Sequence, residues 1–417
     1  MAKASKILII SLFYAPEQIG ISKYSTEMAE WLAERGAEVR VITAFPFYPE
    51  WKPYPGYRRW WYHTEQIHRV TVLRCPLWVP AKVTGLTRLL HLLTFALSSS
   101  WRILSQVSWQ PEHVIALMPT VTNWPATWLL ARLSGSTTQL HVQDFEFDLA
   151  MNLNILSISR RWRGTIIRFE EWLYESFDIV TTISQGMLDK LIKEKGICQE
   201  RTRLFPNWVD TEAIYPLPGP NGFRHSLGIR DDQAVVLYSG NMGRKYGLDI
   251  LADAAQLLAN NDKIVFVLCG DGVARADLQA RCAGLPNVRF LPVQPVEKLN
   301  ELLNAADIHA LPQRAMAADS VMPSKLLGML ASGRPVVATV ERESEVGAIV
   351  AQAGVTVKAD NVAEFAAALV ALAEDRVWRA RLGYAGRQLA IERFGKNSIL
   401  EAAFGQQIVM QRTSEAG

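Results

Sequence analysis

The sequence predicts an α/β protein made of two Rossmann-like, doubly wound domains in tandem. Short apolar runs of strand length alternate with helical patterns, and this alternation starts again after a Pro- and Gly-rich stretch at residues 206–222. The chain has 417 residues, 49% of them hydrophobic, which is enough for two cores. Ligand sites in such sheets lie at the carboxyl edges of the strands, so a cleft between two facing edges is the expected active site.

The first domain opens on a βαβ unit. The continuous apolar run Ile7–Phe13 predicts a buried parallel strand. Ser22–Arg35 predicts a helix with Ser22 as N-cap and Gly36 after its end, and Val39–Thr43 predicts the second strand. Three later strands (His113–Met118, Thr138–Val142, Ile179–Ile183) and three helices (Leu86–Leu104, Trp124–Leu133, Trp162–Ser176) follow the same reasoning.

The second domain repeats the alternation. Its predicted strands are Ala234–Tyr238, Ile264–Leu268, Val288–Leu291, Ile308–Leu311 and Val336–Thr339, and its predicted helices are Leu248–Leu258, Ala274–Ala283, Glu297–Ala305 and Ser324–Ala331. Three further helices are predicted at Ala363–Ala373, Trp378–Arg393 and Ser398–Arg412. The expected domains are therefore 1–212 and 213–390, with a C-terminal helix in 391–417 that packs back on the first domain.

Composition excludes several classes of protein. The four cysteines stand apart, without the spacing of a disulfide framework or a structural metal, and a net charge of +3 does not favour nucleic acid as a partner. We expect neither an export signal nor a membrane-spanning helix. Because no Walker A loop, HExxH motif or nucleophile elbow is present, P-loop chemistry and nucleophilic hydrolysis lose support.

Three motifs in the second domain follow strands and precede helices. Tyr238–Gly247 contains Gly240, Gly243, Arg244 and Lys245, a combination that suits either a phosphate site or an ordinary Gly-rich turn. Cys269–Gly272 is a Gly-x-Gly turn that is common in α/β folds. In Val321–Leu327, Pro323, Ser324 and Lys325 are predicted in a first helical turn, where they could bind phosphate or be solvated.

The first domain offers two polar segments at strand ends. Gly20 and Ser22 lie in the loop that opens the first helix, and could contact a ligand from the opposite side. His141–Asp148 ends a strand with three carboxylates, a pattern that suggests contacts to substrate hydroxyls or stabilisation of charge. For His141, the alternation of a buried strand leaves open that its ring faces the interior.

Residues 51–110 carry a local charge of +7 together with ten aromatic side chains. Lys, Arg, Trp and Tyr favour the headgroup level of an anionic membrane, so this stretch is expected to bind one peripherally and less tightly as salt rises. The alternative is that these aromatics belong to the core or line an acceptor groove.

Taken together, these motifs resemble the GT-B glycosyltransferases of family 4, in particular bacterial exopolysaccharide transferases of the colanic-acid type. The resemblance rests on the Pro16–Tyr24 loop, Phe205–Asp210, Ser239–Gly247, Gly270–Gly272 and Pro323–Val337. It implies metal-independent transfer of a sugar, with retention, from a nucleoside diphosphate sugar to a saccharide acceptor, which we expect to be lipid-linked, at the cytoplasmic face of the membrane. No cofactor is implied. The rival readings are a nucleotide-sugar epimerase of the same architecture and a non-catalytic nucleotide-sugar-binding protein associated with the membrane.

The resemblance also assigns expected roles to residues. Asp144, Arg244, Lys245 and Lys325 are the expected catalytic contacts to sugar and diphosphate, and Ser22, Lys23 and His141 the acceptor-side residues. The expected donor-binding residues are Gly20, Gly240, Asn241, Gly243, Gly270, Gly272, Val293, Asp319, Ser320, Pro323 and Ser324.

Some positions depart from the family pattern. Asn241 replaces a frequent Arg, and Tyr246 a common Lys. The paired glutamates fall on Ser320 and Gly328, with Asp319 as a possible replacement. The His-Asp pair at the first-domain strand end becomes Gln143-Asp144.

Overall fold

In the computed structural model, residues 4–17, 20–145, 160–219, 221–243, 246–314 and 323–413 are described. The chain divides into two compact units, Met1–Pro206 with Leu400–Gly417, and Asn207–Ile399. The roles that the sequence suggests for the two domains are not tested by this division and stay predictions.

The first unit contains one mixed sheet of eight strands. Its elements in chain order are β1 Lys6–Ile10, α1 Ile21–Glu34, β2 Glu38–Ala44, β3 His63–Ile67, β4 Val70–Cys75, α2 Gly85–Leu104, β5 His113–Leu117, α3 Trp124–Ser134, β6 Thr137–Val142, α4 Arg160–Glu175, β7 Ile179–Thr182, α5 Gln185–Lys193 and β8 Thr202–Leu204. The strand order is β3-β4-β2-β1-β5-β6-β7-β8, with only the β3–β4 pair antiparallel among the described strands. Apolar residues such as Leu8, Ile42 and Val114 form its buried core.

The second unit contains a parallel sheet of six strands. Its elements are α6 Gly222–Ser226, β9 Ala234–Ser239, α7 Asp249–Leu257, β10 Ile264–Cys269, α8 Arg275–Arg281, β11 Val288–Leu291, α9 Leu299–Asn304, β12 Ile308–Leu311, α10 Ser324–Ala331, β13 Val336–Thr339, α11 Glu345–Ala353, β14 Gly354–Val357, α12 Val362–Glu374 and α13 Arg376–Phe394, and the last helix α14 Lys396–Thr413 begins here. The strand order is β11-β10-β9-β12-β13-β14. β10 lies between β11 and β9 and is buried at every residue, as expected of a continuous apolar run in the interior of a doubly wound sheet.

The predicted fold class is confirmed, with local corrections. The predicted helix cap at Ser22 is wrong, because α1 begins one residue earlier with Gly20 as N-cap, at φ 62°. The sequence did not predict β3 and β4, which lie inside the stretch interpreted only as basic and aromatic. It also did not predict α5, β8, α6, α11 and β14. β3 is a polar edge strand with no fully buried residue, so it carries little of the apolar signal by which strands are recognised.

Candidate functional site

Two Gly-rich loops of the second unit lie side by side because β9 and β10 end in register. Ser239 pairs with Cys269, the last residue of each strand. Beyond them, the Gly240 amide donates to the Cys269 carbonyl at 3.0 Å, and the Met242 amide donates to the Asp271 carbonyl at 2.8 Å. The two Gly-rich motifs therefore form one continuous structure at the carboxyl edge of the sheet.

Gly270 and Gly272 allow the two loops to touch. A Cβ at Gly270 would lie 1.9 Å from the Gly240 carbonyl oxygen, and one at Gly272 would lie 2.6 Å from the Met242 carbonyl oxygen. Both distances are far inside van der Waals contact. Glycine is therefore needed at both positions for the two backbones to approach each other closely. The expected contact of Gly270 and Gly272 with a nucleotide stays a prediction.

Lys325 extends from the first turn of α10 toward Gly240. A Cβ at Gly240, which has φ 144°, would lie 3.5 Å from Lys325 Nζ, so the absence of a side chain there leaves the ammonium facing bare backbone. The same ammonium donates to the Tyr238 hydroxyl at 3.1 Å. It also lies 4.4 Å from the ring centre of Tyr238 and 4.5 Å from that of Tyr246, distances typical of cation–π contacts.

Tyr238 connects this ammonium to the Gly240 loop. Its hydroxyl donates to the Asn241 carbonyl at 2.6 Å, which leaves an oxygen lone pair for Lys325. Burial, with a smaller contribution from Tyr246, raises the pKa of Tyr238 well above its usual range, so the group stays a neutral phenol. The sequence analysis assigned no role to Tyr238 or Tyr246. A Tyr immediately before a Gly-rich strand end is the signal that could have indicated one.

The amino terminus of α10 adds to the positive potential at Lys325. The helix begins at Ser324, and its N-cap is Pro323, whose side chain carries no hydrogen-bond acceptor. The first turn contains no acid, and Ser324 is exposed. The helix dipole and one ammonium thus favour an anion beside Gly240.

The structure describes some of the other predicted donor residues and not others. Asn241 is exposed, and its side-chain oxygen would lie 3.2 Å from a Cβ at Gly243. Val293, 65% exposed, comes two residues after β11. Arg244, Lys245, Asp319 and Ser320 lie outside the described residues, so their expected roles stay predictions.

In the first unit, the loop before α1 is held from inside. The buried Ser22 hydroxyl donates to the Glu17 carbonyl at 2.5 Å, so the structure places this side chain in the interior and not toward an acceptor. Lys23 is partly exposed, 4.0 Å from the Glu27 carboxylate. Gly20 is exposed, with open space where a Cβ would stand.

Glu17 and Arg74 anchor that loop, and the sequence analysis gave neither residue this role. The buried Glu17 carboxylate accepts from the amides of Phe47 and Tyr48 at 2.8 and 2.7 Å, while burial raises its pKa. The Arg74 side chain is also buried, donates to Glu65 at 2.7 Å and to Ala44 O at 2.9 Å, and contacts the Ala15 carbonyl. A buried carboxylate and guanidinium therefore fix the loop that carries Gly20.

The end of β6 places its two candidate residues differently. The His141 ring is buried, hydrogen-bonded to Thr181 Oγ1 at 3.0 Å and packed 4.9 Å from the ring of Phe205. Burial lowers the pKa of His141 to about 3, so the ring is neutral. The His141 ring therefore faces the interior, which is the alternative that the sequence left open. Asp144, two residues after β6, is exposed.

The described part of the chain contains neither a cluster of metal-ligating side chains nor a membrane-spanning helix. Within it, no three His, Cys, Asp or Glu side chains gather into a group that could hold a metal ion. Across the same ranges, no helix is both long and apolar enough to cross a membrane.

Comparison with known proteins gives consistent matches. Residues 20–208 match the model of a glycosyl transferase 4-like domain, and residues 233–375 match that of glycosyl transferases group 1. A protein of Escherichia coli (strain K12), assigned as the colanic acid biosynthesis glycosyl transferase WcaI, is 40% identical over 348 residues, which cover 82% of this chain and 85% of that protein.

Two solved structures share the fold at low identity. Sucrose-phosphate synthase from Thermosynechococcus elongatus aligns with a TM-score of 0.74 at 18% identity, over 99% of this chain and 100% of that one. HepE from Anabaena, solved in complex with UDP and glucose, aligns with a TM-score of 0.66 at 17% identity, over 97% and 99% of the two chains.

Proposed function

The chain belongs to the family 4-like, group 1 glycosyltransferases, and from this premise we propose the reaction it performs. It transfers a sugar, with retention and without a metal ion, from a nucleoside diphosphate sugar to a lipid-linked saccharide. The reaction takes place at the inner face of the cell membrane and contributes to exopolysaccharide or cell-surface glycan synthesis. The relationship to a colanic acid transferase supports this choice of pathway class.

The observation that carries the proposal is the anion site of the second unit. Lys325 Nζ, the bare backbone of Gly240 and the amino terminus of α10 all face the same space. These groups suit the diphosphate of a donor, because charge-assisted hydrogen bonds and a helix amino terminus both favour an anion. The UDP and glucose bound in HepE support a donor of this chemical class.

The expected catalytic contribution is stabilisation of the leaving group. The bond between the anomeric carbon and the phosphate oxygen breaks and its electron pair leaves with the diphosphate. The acceptor hydroxyl bonds the carbon from the same face, and its proton passes to the departing phosphate oxygen. Charge therefore accumulates on the phosphate, where Lys325 would have its largest effect. Arg244 and Lys245 are proposed as further diphosphate contacts on the strength of the resemblance alone.

Donor binding and transfer are tested separately. Calorimetry with UDP, GDP and their sugars identifies the donor. Transfer of labelled sugar into a lipid extract, followed by NMR of the product in the presence of EDTA, reports the reaction, its stereochemistry and its metal dependence. We expect binding, and transfer with retention that EDTA leaves unchanged.

Other outcomes support the rivals. Complete conversion of the donor to its epimer, with no acceptor present, would make the protein an epimerase. Tight donor binding with no transfer into any acceptor pool would make it a non-catalytic binding protein.

A further inference from the structure

The outer face of α2 is apolar and uncovered. Leu86, Leu89, Leu90, Leu93, Leu97 and Trp101, here called the outer α2 surface, are all exposed, with Leu97 at 78% and Trp101 at 71%. Their spacing of three and four residues puts them in one stripe, about 22 Å long at a rise of about 1.5 Å per residue. The opposite face, with His91, Phe95 and Ile103, is buried in the core. A helix that is apolar on both faces is expected to have both covered.

Neighbouring segments extend this surface. The Tyr62 hydroxyl donates to the Ser98 carbonyl of α2 at 2.8 Å, which holds the exposed Trp60 and Trp61 close to the helix. α3 packs beside α2 and adds exposed Trp128, Leu129 and Leu133. An apolar area composed of several elements is larger than the scattered exposed residues of an ordinary surface.

The charges around the outer α2 surface are cationic. Neither α2 nor α3 contains an acidic residue, whereas Arg88, Arg102 and Arg132 belong to these helices. Arg58 and Arg59, just before Trp60, are exposed. Arg74, which the sequence analysis counted with this group, is buried against Glu65 and contributes nothing to the surface.

We propose that the outer α2 surface docks onto an anionic lipid bilayer by inserting its leucines below the headgroups. This proposal rests on the proposed function, because an enzyme docked on the membrane would meet a lipid-linked acceptor there. Leu at the centre, Trp at the margin and Arg beside them form the composition of a helix that lies in a membrane interface. A protein partner does not need this separation of apolar centre from cationic margin.

The test is sedimentation with vesicles. The full chain is mixed with phosphatidylethanolamine–phosphatidylglycerol vesicles or with pure phosphatidylcholine vesicles, at low salt and in about 1 M salt, where screening acts beyond about 3 Å. We expect partition onto anionic vesicles that is weakened but not abolished by salt. Adsorption driven by charge alone would instead be lost completely in about 1 M salt.

Variants separate insertion from charge. The triple change Leu89→Gln, Leu93→Gln and Leu97→Gln should lower the partition coefficient at least about tenfold at both salt concentrations, because insertion depends on apolar area. Arg58→Glu with Arg59→Glu should lower only the salt-sensitive part of the partition. The matched control, Leu257→Gln with Val273→Gln and Val377→Gln, changes three exposed apolar residues of the second unit and should leave partition unchanged.

Wild-type partition by the triple-Leu variant, or no partition of the wild type at any salt, would overturn the proposal. So would a wild-type dimer in sedimentation that the triple change dissociates, because the surface would then be covered by a second copy. Donor binding by calorimetry is measured on every variant. Its failure in the wild type counts against the proposed transferase, while the vesicle result stands or falls separately.

Discussion

At the scale of single residues, Tyr238 and Tyr246 hold Lys325 at the proposed anion site. Lys325→Ala should lower kcat at least about tenfold, because a hydrogen bond to a charged group is worth about 1.5–3 kcal/mol. The fold should persist, since the side chain is only partly buried. Steady-state transfer rates and calorimetric donor affinity measure the effect.

The matched control for Lys325→Ala is Lys358→Ala. Lys358 is an exposed lysine of the same unit, so its loss removes one positive charge without touching the anion site. Equal rates for the two variants would show that Lys325 does not stabilise the leaving group.

The sequence indicated some residues of the proposed anion site and not others. Gly240 and Lys325, which the structure brings close together, were predicted because each occupies a motif of fixed local geometry, a strand–loop turn and a first helical turn. Tyr238 was missed because its role depends on Lys325, 87 residues away, which no local pattern reports. Ser22 and His141 were placed next to the right strand ends, but packing turned both side chains inward.

At the scale of elements, the contact between the two Gly-rich loops fixes the end of β9 against that of β10. Gly270→Ala should destabilise the second unit, because the new methyl would lie 1.9 Å from the Gly240 carbonyl oxygen and the loops must separate. We expect a loss above about 2 kcal/mol in the free energy of unfolding, combining collision with backbone strain. Urea unfolding measures it.

The comparison for this variant is Gly284→Ala. Gly284 also has a positive φ, 79°, but nothing lies within 4 Å of its Cβ position. It should therefore show the cost of strain alone, about 1 kcal/mol. If Gly270→Ala costs no more than Gly284→Ala, the loops are not in tight contact.

A buried ion pair joins α4 to the chain after α5. Lys195 donates to the Glu170 carboxylate at 2.7 Å, with both side chains almost inaccessible, and Tyr174 donates to the same carboxylate at 2.9 Å. Lys195→Met should destabilise the first unit by about 3–5 kcal/mol, because it removes a bonded ammonium from a buried carboxylate. Lys193→Met, which breaks the exposed pair with Asp189, should cost at most about 0.5 kcal/mol. Similar urea midpoints for the two variants would contradict this account.

Elements were predictable from the sequence where they are apolar and central. β1, β5, β9 and β10 were recognised because parallel strands buried on both faces are continuous hydrophobic runs. β3 is polar, and β4 contains Arg74, which is buried because Glu65 of β3 and the Ala44 carbonyl accept its hydrogen bonds. This pairing depends on tertiary structure, so the local sequence of neither strand indicates it.

At the scale of the whole molecule, each unit contains a buried histidine that is hydrogen-bonded to a hydroxyl. His141 of the first unit is bonded to Thr181, and His309 of the second unit is hydrogen-bonded to Ser332 Oγ at 3.0 Å. Burial lowers the pKa of each ring to about 3. Both units therefore fold around a neutral imidazole, and the same pH range should affect both.

Acid should accordingly weaken both units. An unfolded histidine has a pKa of about 6.5, so below that pH the unfolded chain binds a proton that the folded chain does not. The free energy of unfolding should be flat above about pH 6.5 and should fall below it, approaching about 1.4 kcal/mol per pH unit for each ring until the folded pKa is reached. Urea unfolding between pH 7.5 and about 5, above most carboxylate titrations, measures this slope.

Two variants assign the slope to a single ring. His309→Gln, whose amide can still bond to Ser332, should remove the contribution of His309. His225→Gln, at an exposed position of the same unit, should leave the slope unchanged. An identical slope in wild type and His309→Gln would show that His309 is not held neutral by the fold.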